Sequence, residues 1–180
     1  MTHYNLALVG FGNVGRALAR LLMSKQDELK SRYEVTFAVT GIATGRHGMA
    51  IDPAGIDLPK ALALAEGGGS LNELSTQTIP TSGVEFIRLC PAQVLFENSP
   101  VDHQTGQPAI DHLRTALECG KHAITANKGP VVHAYRELTS LAAAHGRRFL
   151  FESTVMDGAP IFSLMRSALP AARLLGFQGI

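Results

Sequence analysis

The chain is poor in cysteine, close to neutral, and has no apolar stretch that approaches the length needed to span a bilayer. Its two cysteines, Cys90 and Cys119, are too few and too far apart for a disulfide framework or a zinc site, and they suit a reducing compartment. The seven histidines are scattered and contain no H-E-x-x-H pattern. Sixteen basic against fifteen acidic residues give a net charge of +1, with neither a basic patch nor an acidic tail, so neither nucleic acid nor a membrane surface is an expected partner. The opening residues lead directly into an apolar strand pattern rather than a basic segment followed by an apolar one, and a cytoplasmic location is expected.

What remains is a 180-residue chain that is 46% hydrophobic and 17% charged, enough to bury a real core in one to one-and-a-half domains. Short apolar strands alternate with amphipathic helices, the pattern of a parallel sheet covered on both faces. Strands are expected near Tyr4–Val9, Glu34–Thr40, Val94–Phe96, His122–Thr125 and Arg148–Phe151. Helices are expected near Asn13–Ser31, Lys60–Glu66, Pro108–Cys119, Val131–His145 and Ala159–Ala168. Another should open at Ser82-Gly-Val-Glu85, which has capping-box spacing, and end before Pro91. The stretch Gly41–Pro59 reads as loop, and Arg173–Ile180 as the beginning of a further strand. The expected class is therefore α/β, a Rossmann-like doubly wound parallel sheet over residues 1–170, with the start of a second domain at 171–180.

The most informative local pattern is Gly10-Phe11-Gly12-Asn13-Val14-Gly15, placed between the run Leu6–Val9 and a helical segment. Glycines at this spacing let a strand turn tightly into a helix, let backbone approach a pyrophosphate, and bring the anion to the helix N-terminus. A strand before and a helix after are the context that this motif requires. About twenty residues further on, an acid would favour NAD by bonding the ribose 2′-hydroxyl. No Asp or Glu lies between Val35 and Ala50; Arg46 and His47 stand there instead, groups able to neutralise a 2′-phosphate, which favours NADP or dual use.

In open α/β sheets ligands gather outside the carboxyl ends of the strands, so the later strand ends are the next places to look. They carry Glu97-Asn98-Ser99-Pro100, Thr125-Ala126-Asn127-Lys128-Gly129-Pro130, and Glu152-Ser-Thr-Val-Met-Asp-Gly-Ala-Pro160. A lysine at such an edge can bind a substrate carboxylate or move a proton, although most lysines are simply exposed. Glu152 and nearby carbonyls could hold a hard cation, or Glu152 could cap a helix.

The glycine turn, Thr-Ala-Asn-Lys-Gly-Pro at 125–130 and Phe-Glu-Ser-Thr-Val-Met-Asp-Gly-Ala-Pro-Ile at 151–161, in this order and spacing, resemble homoserine dehydrogenase. The resemblance covers essentially the whole chain and is weakest across Gly41–Thr81. It implies reversible, NAD(P)-dependent interconversion of L-aspartate 4-semialdehyde and L-homoserine, a step towards threonine and methionine. It further implies that Gly10, Phe11, Gly12, Asn13, Val14 and Gly15 hold the cofactor at its pyrophosphate. Asn98, Ser99 and Pro100 would border the nicotinamide ribose, with Thr125 and Asn127 supporting that pocket. Lys128 would be the catalytic group beside substrate and nicotinamide. Glu152, with backbone of Val155, Asp157 and Ala159, matches a monovalent-cation site, usually sodium, although the family often has a small residue where this chain has Asp157.

The family pattern continues past the equivalent of Ile180 into a substrate and dimerisation domain that supplies further proton-transfer groups. A homodimer is therefore expected at full length, and the 180-residue chain is expected to bind dinucleotide but to turn over homoserine poorly or not at all. Two other classes fit the glycine turn: an oxidoreductase of related amino acids or semialdehydes, and a non-catalytic NAD(P)-sensing module. The latter has no need of a lysine at position 128.

Overall fold

The computed structural model describes residues 1–156, 158–173, 175, 176 and 178. The first strand, β1 (Thr2–Val9), is buried on both faces in its second half, as a central parallel strand must be. Leu6 and Leu8 enter one core cluster and Ala7 and Val9 the other. β1 turns through Gly10–Gly12 into α1 (Asn13–Tyr33), which packs Leu18, Ala19 and Leu22 into the Leu6/Leu8 cluster.

The helix ends on Glu34, which adopts a left-handed conformation (φ 55°) and donates its N–H to the Leu29 carbonyl. β2 (Val35–Ala43) therefore begins one residue later than expected and runs three residues further, pairing parallel with β1 from Thr2↔Val35 to Val9↔Ala43. Part of the stretch expected to be loop is ordered as β3 (Met49–Ile51), which folds back antiparallel on β2 with Gly41↔Ile51 and Ala43↔Met49. The Asn72 side chain accepts the Met49 N–H (2.8 Å), and the Ser75 hydroxyl accepts that of Ile51 (3.1 Å). A three-residue edge strand held by side chains more than twenty positions away leaves no local periodicity to read.

Helix α2 (Leu58–Gly67) is capped by Asp57, whose carboxylate accepts the Lys60 N–H, and has Pro59 in its first turn. Helix α3 (Gly83–Leu89) starts at Ser82 as expected, with the Ser82 hydroxyl accepting the Glu85 N–H (3.1 Å). The Glu85 carboxylate reaches one residue further back than a simple capping box requires, to the N–H and hydroxyl of Thr81. The second half of the sheet follows as β4 (Val94–Glu97), α4 (Ala109–Glu118), β5 (His122–Thr125), α5 (Lys128–Ala144), β6 (Phe149–Leu150) and α6 (Ile161–Ala168).

The sheet order is β3-β2-β1-β4-β5-β6, parallel except for β3. Helices α1 and α2 cover the Leu6/Leu8 face; α3, α4 and α5 cover the other, where Phe86, Ile87, Leu113, Leu117 and Leu138 are fully buried. This is the doubly wound arrangement expected from the alternation of elements. No helix among the described residues is long and apolar enough to cross a membrane.

Two expectations shift near the C-terminus. β6 has two residues rather than four, and α5 starts at Lys128 rather than Val131, because Asn127 caps it and Pro130 is accommodated in the first turn. Of the strand expected at 173–180, Leu174, Phe177, Gly179 and Ile180 lie outside the described residues; Arg173, Leu175, Gly176 and Gln178 belong to no strand.

Candidate functional site

The carboxyl ends of β1, β4 and β5 meet around one cleft of about 180 Å³ lined by Val14, Asn98, Ser99, Val101, Ala126, Asn127 and Lys128. Register explains the convergence, since Val9 pairs with Glu97 and Glu97 with Thr125, so the three following loops emerge side by side. Three of the segments singled out in the sequence are thus brought together.

The three glycines of the first loop have different reasons to be there. Gly10 has φ +88°, and a Cβ on it would collide with the Asn98 carbonyl. A Cβ on Gly15 would collide with the Gly10 carbonyl, so helix and strand approach too closely for any side chain. Gly12 is exposed, and nothing in the protein lies within 4 Å of where its Cβ would be. The protein's own packing accounts for the first and third glycines but leaves open space at the second.

Gly12 is also the N-cap of α1, with no side-chain cap hydrogen bond and no acid in the first turn. The first N–H groups and the positive end of a 21-residue helix therefore face the open space beside Gly12. Arg16 lies one turn in, its guanidinium donating to the Asn13 side-chain oxygen (3.0 Å). Val14 is exposed at the cleft, whereas Phe11 is only 3% exposed and packs in the core with Leu6 and Leu8, leaving its backbone alone for a ligand.

The opposite wall is built from side chains. Asn127 caps α5 by accepting the Gly129 N–H (3.1 Å), and its amide group donates to the carbonyls of Ser99 (3.2 Å) and Pro100 (3.4 Å). The Asn127 N–H donates to the Thr125 hydroxyl (3.0 Å), which in turn donates to Glu97 Oε2 (3.1 Å) and the Glu97 carbonyl (3.2 Å). Glu97 is completely buried; its Oε1 accepts the Ser99 N–H (3.0 Å) and the Ser99 hydroxyl. Sequence reasoning named this loop but assigned Glu97 no role. The overlooked signal is the pairing of an acid at the end of one strand with a threonine at the end of the next. Asn98 Nδ2 is buried at the cleft and has no hydrogen-bond partner within the protein, which leaves a donor available to a ligand.

Lys128 is exposed at the far end of the cleft, on the first residue of α5. Among the described residues no carboxylate lies within ion-pair distance of it. A free ammonium and two helix N-termini make the cleft attractive to anions.

Arg46 stands apart from the cleft, exposed in the turn joining β2 to β3. That turn is held by the Thr44 hydroxyl, which accepts the His47 N–H (2.6 Å), and by His47 Nδ1 against the Gly69 carbonyl (3.1 Å). The Gly10 N–H donates to the Ala43 carbonyl (2.8 Å), placing the turn at the strand end beside the glycine loop.

The Glu152 group follows the edge strand β6 and does not line the cleft. Its carboxylate accepts the Ser163 N–H (3.1 Å) and hydroxyl (2.7 Å), and Arg166 is 3.6 Å away. The Ser163 hydroxyl and then its N–H hold the Glu152 carboxyl below the usual range, with a smaller contribution from Arg166. Glu152 thus ties itself to the first turn of α6. Val155 is exposed and Ala159 half-buried nearby; Asp157 lies outside the described residues. No group of three or more His, Cys, Asp or Glu side chains suited to a metal occurs among the described residues.

Comparison with known proteins agrees with this geometry. The family described as "Homoserine dehydrogenase, NAD binding domain" matches residues 10–152. The chain is 34% identical to an NAD(+)-dependent homoserine dehydrogenase of Pseudomonas canavaninivorans over its whole length, covering 51% of that protein. It is 36% identical to homoserine dehydrogenase of Methanocaldococcus jannaschii over 98% of this chain and 52% of that one. A hyperthermophilic archaeal homoserine dehydrogenase solved in complex with NADPH superposes with a TM-score of 0.75 at 29% identity, over 91% of this chain and 48% of that one. The chain spans about half the length of the curated relatives it matches. By this match and by the fold that frames the glycine turn, the chain belongs to the homoserine dehydrogenase NAD-binding domain family.

Proposed function

We propose that this chain binds a nicotinamide dinucleotide and serves as the nucleotide-binding part of a homoserine dehydrogenase, interconverting L-homoserine and L-aspartate 4-semialdehyde. The observation that carries the reading is the open space beside Gly12. A glycine that no protein contact demands stands at the uncapped N-terminus of α1, two residues before Val14, which lines the cleft together with Lys128. Backbone N–H groups there suit a pyrophosphate. Asn98, Ser99 and Asn127 suit the nicotinamide ribose along the cleft wall.

The dinucleotide supplies hydride chemistry when bound; the protein orients donor and acceptor and stabilises charge on the reacting oxygen. Lys128 fits the second task. Its ammonium is exposed at the cleft, unpaired with any described carboxylate, and able to donate a hydrogen bond or a proton to a substrate oxygen. The buried wall behind it keeps its helix in place through Asn127.

Arg46 supports binding of the 2′-phosphorylated form. It lies at the carboxyl end of β2, where the ribose of an adenosine held at the glycine turn falls, and no acid stands nearby in sequence to read a free 2′-hydroxyl. One relative is named as NAD(+)-dependent and a solved one holds NADPH, so the preference rests on residues of this loop. A monovalent cation at Glu152, with backbone of Val155, Asp157 and Ala159, belongs to the same reading; it requires Glu152 to exchange its Ser163 contacts for the ion. Sodium against choline chloride at equal ionic strength should then raise the melting temperature, and equal melting would remove the cation.

The direct test is titration of the chain with NADPH and NADH, followed by nicotinamide fluorescence. Saturable binding in about the micromolar range is expected. Absence of saturable binding of either would end the proposal.

A further inference from the structure

We propose that Glu97, which does not line the cleft, is a positioning residue that sets the spacing of the two loops bordering its nicotinamide end. The inference rests on the dinucleotide reading above.

Glu97 is the last residue of β4 and is 0% exposed. It lies on the same face as Leu95, where its neighbours are the buried side chains of α3, α4 and α5. A buried carboxylate is costly unless hydrogen-bonded, and an apolar residue would fill such a place at less expense. No lysine or arginine pairs with it among the described residues; His112 is within ion-pair distance, its Nδ1 3.6 Å from Oε1, and this nitrogen makes no hydrogen bond. The hydrogen bonds of the carboxylate go to Ser99 and Thr125 rather than to this imidazole.

The two oxygens serve different loops. Oε1 takes both donors of Ser99, and Oε2 takes the Thr125 hydroxyl. Thr125 accepts the Asn127 N–H, and Asn127 donates its amide hydrogens to the carbonyls of Ser99 and Pro100. The hydrogen bonds close into a ring, Glu97 to Ser99 to Asn127 to Thr125 and back to Glu97. Ser99 and Asn127 face the cleft while Glu97 stands behind them. A carboxylate is the group that accepts in two directions at once. An amide keeps one acceptor oxygen and turns a donor, with one hydrogen unmatched, towards Thr125.

The adenosine end of the site has anchors outside this ring, although Gly10 also packs against the backbone of Asn98 and Ser99. The glycine turn is held by backbone pairing of β1 with β2 and by the Gly10 N–H on the Ala43 carbonyl. Loss of the Glu97 carboxylate should therefore weaken the grip on the nicotinamide half much more than on the adenosine half.

The experiment compares wild type, Glu97→Ala and Glu97→Gln in the 180-residue chain. Each is titrated with the dinucleotide that the wild type binds and with its adenosine half alone, ADP or 2′,5′-ADP, and melting is recorded alongside. The expected result is a loss of about tenfold in dinucleotide affinity for Glu97→Ala and about threefold for Glu97→Gln, with the adenosine half bound within about twofold of wild type by both. Unchanged dinucleotide affinity would overturn the inference. So would an equal loss for both probes, which a merely destabilised fold would produce. Should Glu97→Ala not fold, the near-isosteric Glu97→Gln decides between the same outcomes. Failure of the wild type to bind any dinucleotide would instead overturn the proposed function, and this inference with it.

Discussion

The two walls of the cleft achieve rigidity by opposite means. On the β1–α1 side the structure uses backbone: two glycines let chain segments approach to contact, a third leaves space, and the helix offers N–H groups that no side chain caps. On the β4–β5 side it uses side chains: a buried carboxylate, two hydroxyls and an amide close into a ring beneath the surface. A backbone wall depends on its glycines and on the packing of Phe11 beneath it, whereas a side-chain wall depends on each member finding its partner. The first should fail abruptly at single glycines, and the second should fail by degrees.

The largest effects test the backbone wall. Gly12→Val should lower dinucleotide affinity by about a hundredfold or more by obstructing the helix N-terminus. It should move the melting temperature little, since nothing in the protein occupies that space. Gly15→Val meets the Gly10 carbonyl and should lower the melting temperature by about 10 °C or more. If the two variants lose stability equally, the distinction between a packing glycine and a ligand glycine is lost. Next in size, under the proposed function, is Lys128→Ala: in a polypeptide that carries this domain and oxidises homoserine, kcat should fall about a hundredfold with dinucleotide affinity nearly unchanged. A variant with normal kcat would return Lys128 to the status of a surface residue.

A smaller effect separates the cofactors. Arg46→Ala should weaken NADPH by about tenfold and leave NADH alone, read by parallel titrations. Equal loss would detach Arg46 from the 2′-phosphate. The smallest concerns the segment beyond β6, where α6 buries no residue and the Glu152–Ser163 contacts hold its first turn. The Glu152 carboxyl is held below its usual range in the folded chain, so the stabilisation it gives is present above about pH 4.3 and is lost as pH falls through the folded value. Limited proteolysis with an acid protease should cut near α6 sooner as pH is lowered below that range, while Glu152→Gln should show less dependence on pH.

The difference between the walls also explains what could be read from the chain. The glycine turn, the alternation of strands and helices, and the strand ends that carry Asn98, Asn127 and Lys128 are local patterns. A strand, a tight turn and a helix announce themselves within twenty residues. Glu97 is a property of register: its partner Thr125 lies 28 positions away, and only the pairing of β4 with β5 puts the two side chains together. β3 was hidden for the same reason, being three residues long and fixed by Asn72 and Ser75. Lys128 falls in the strand-end loop expected before a helix at Val131, with Pro130 between them. Asn127 as cap makes that proline a first-turn residue instead.

The most direct measurement of the central claim is a ¹⁵N-resolved NMR titration of the 19.2 kDa chain with NADPH. Dinucleotide binding at the cleft predicts saturable shifts of the amides of Gly12, Asn13, Val14, Asn98, Ser99 and Asn127, with those of α2, α3 and α6 essentially unmoved. Shifts clustered away from the carboxyl ends of β1, β4 and β5, or none at saturating NADPH, would contradict it.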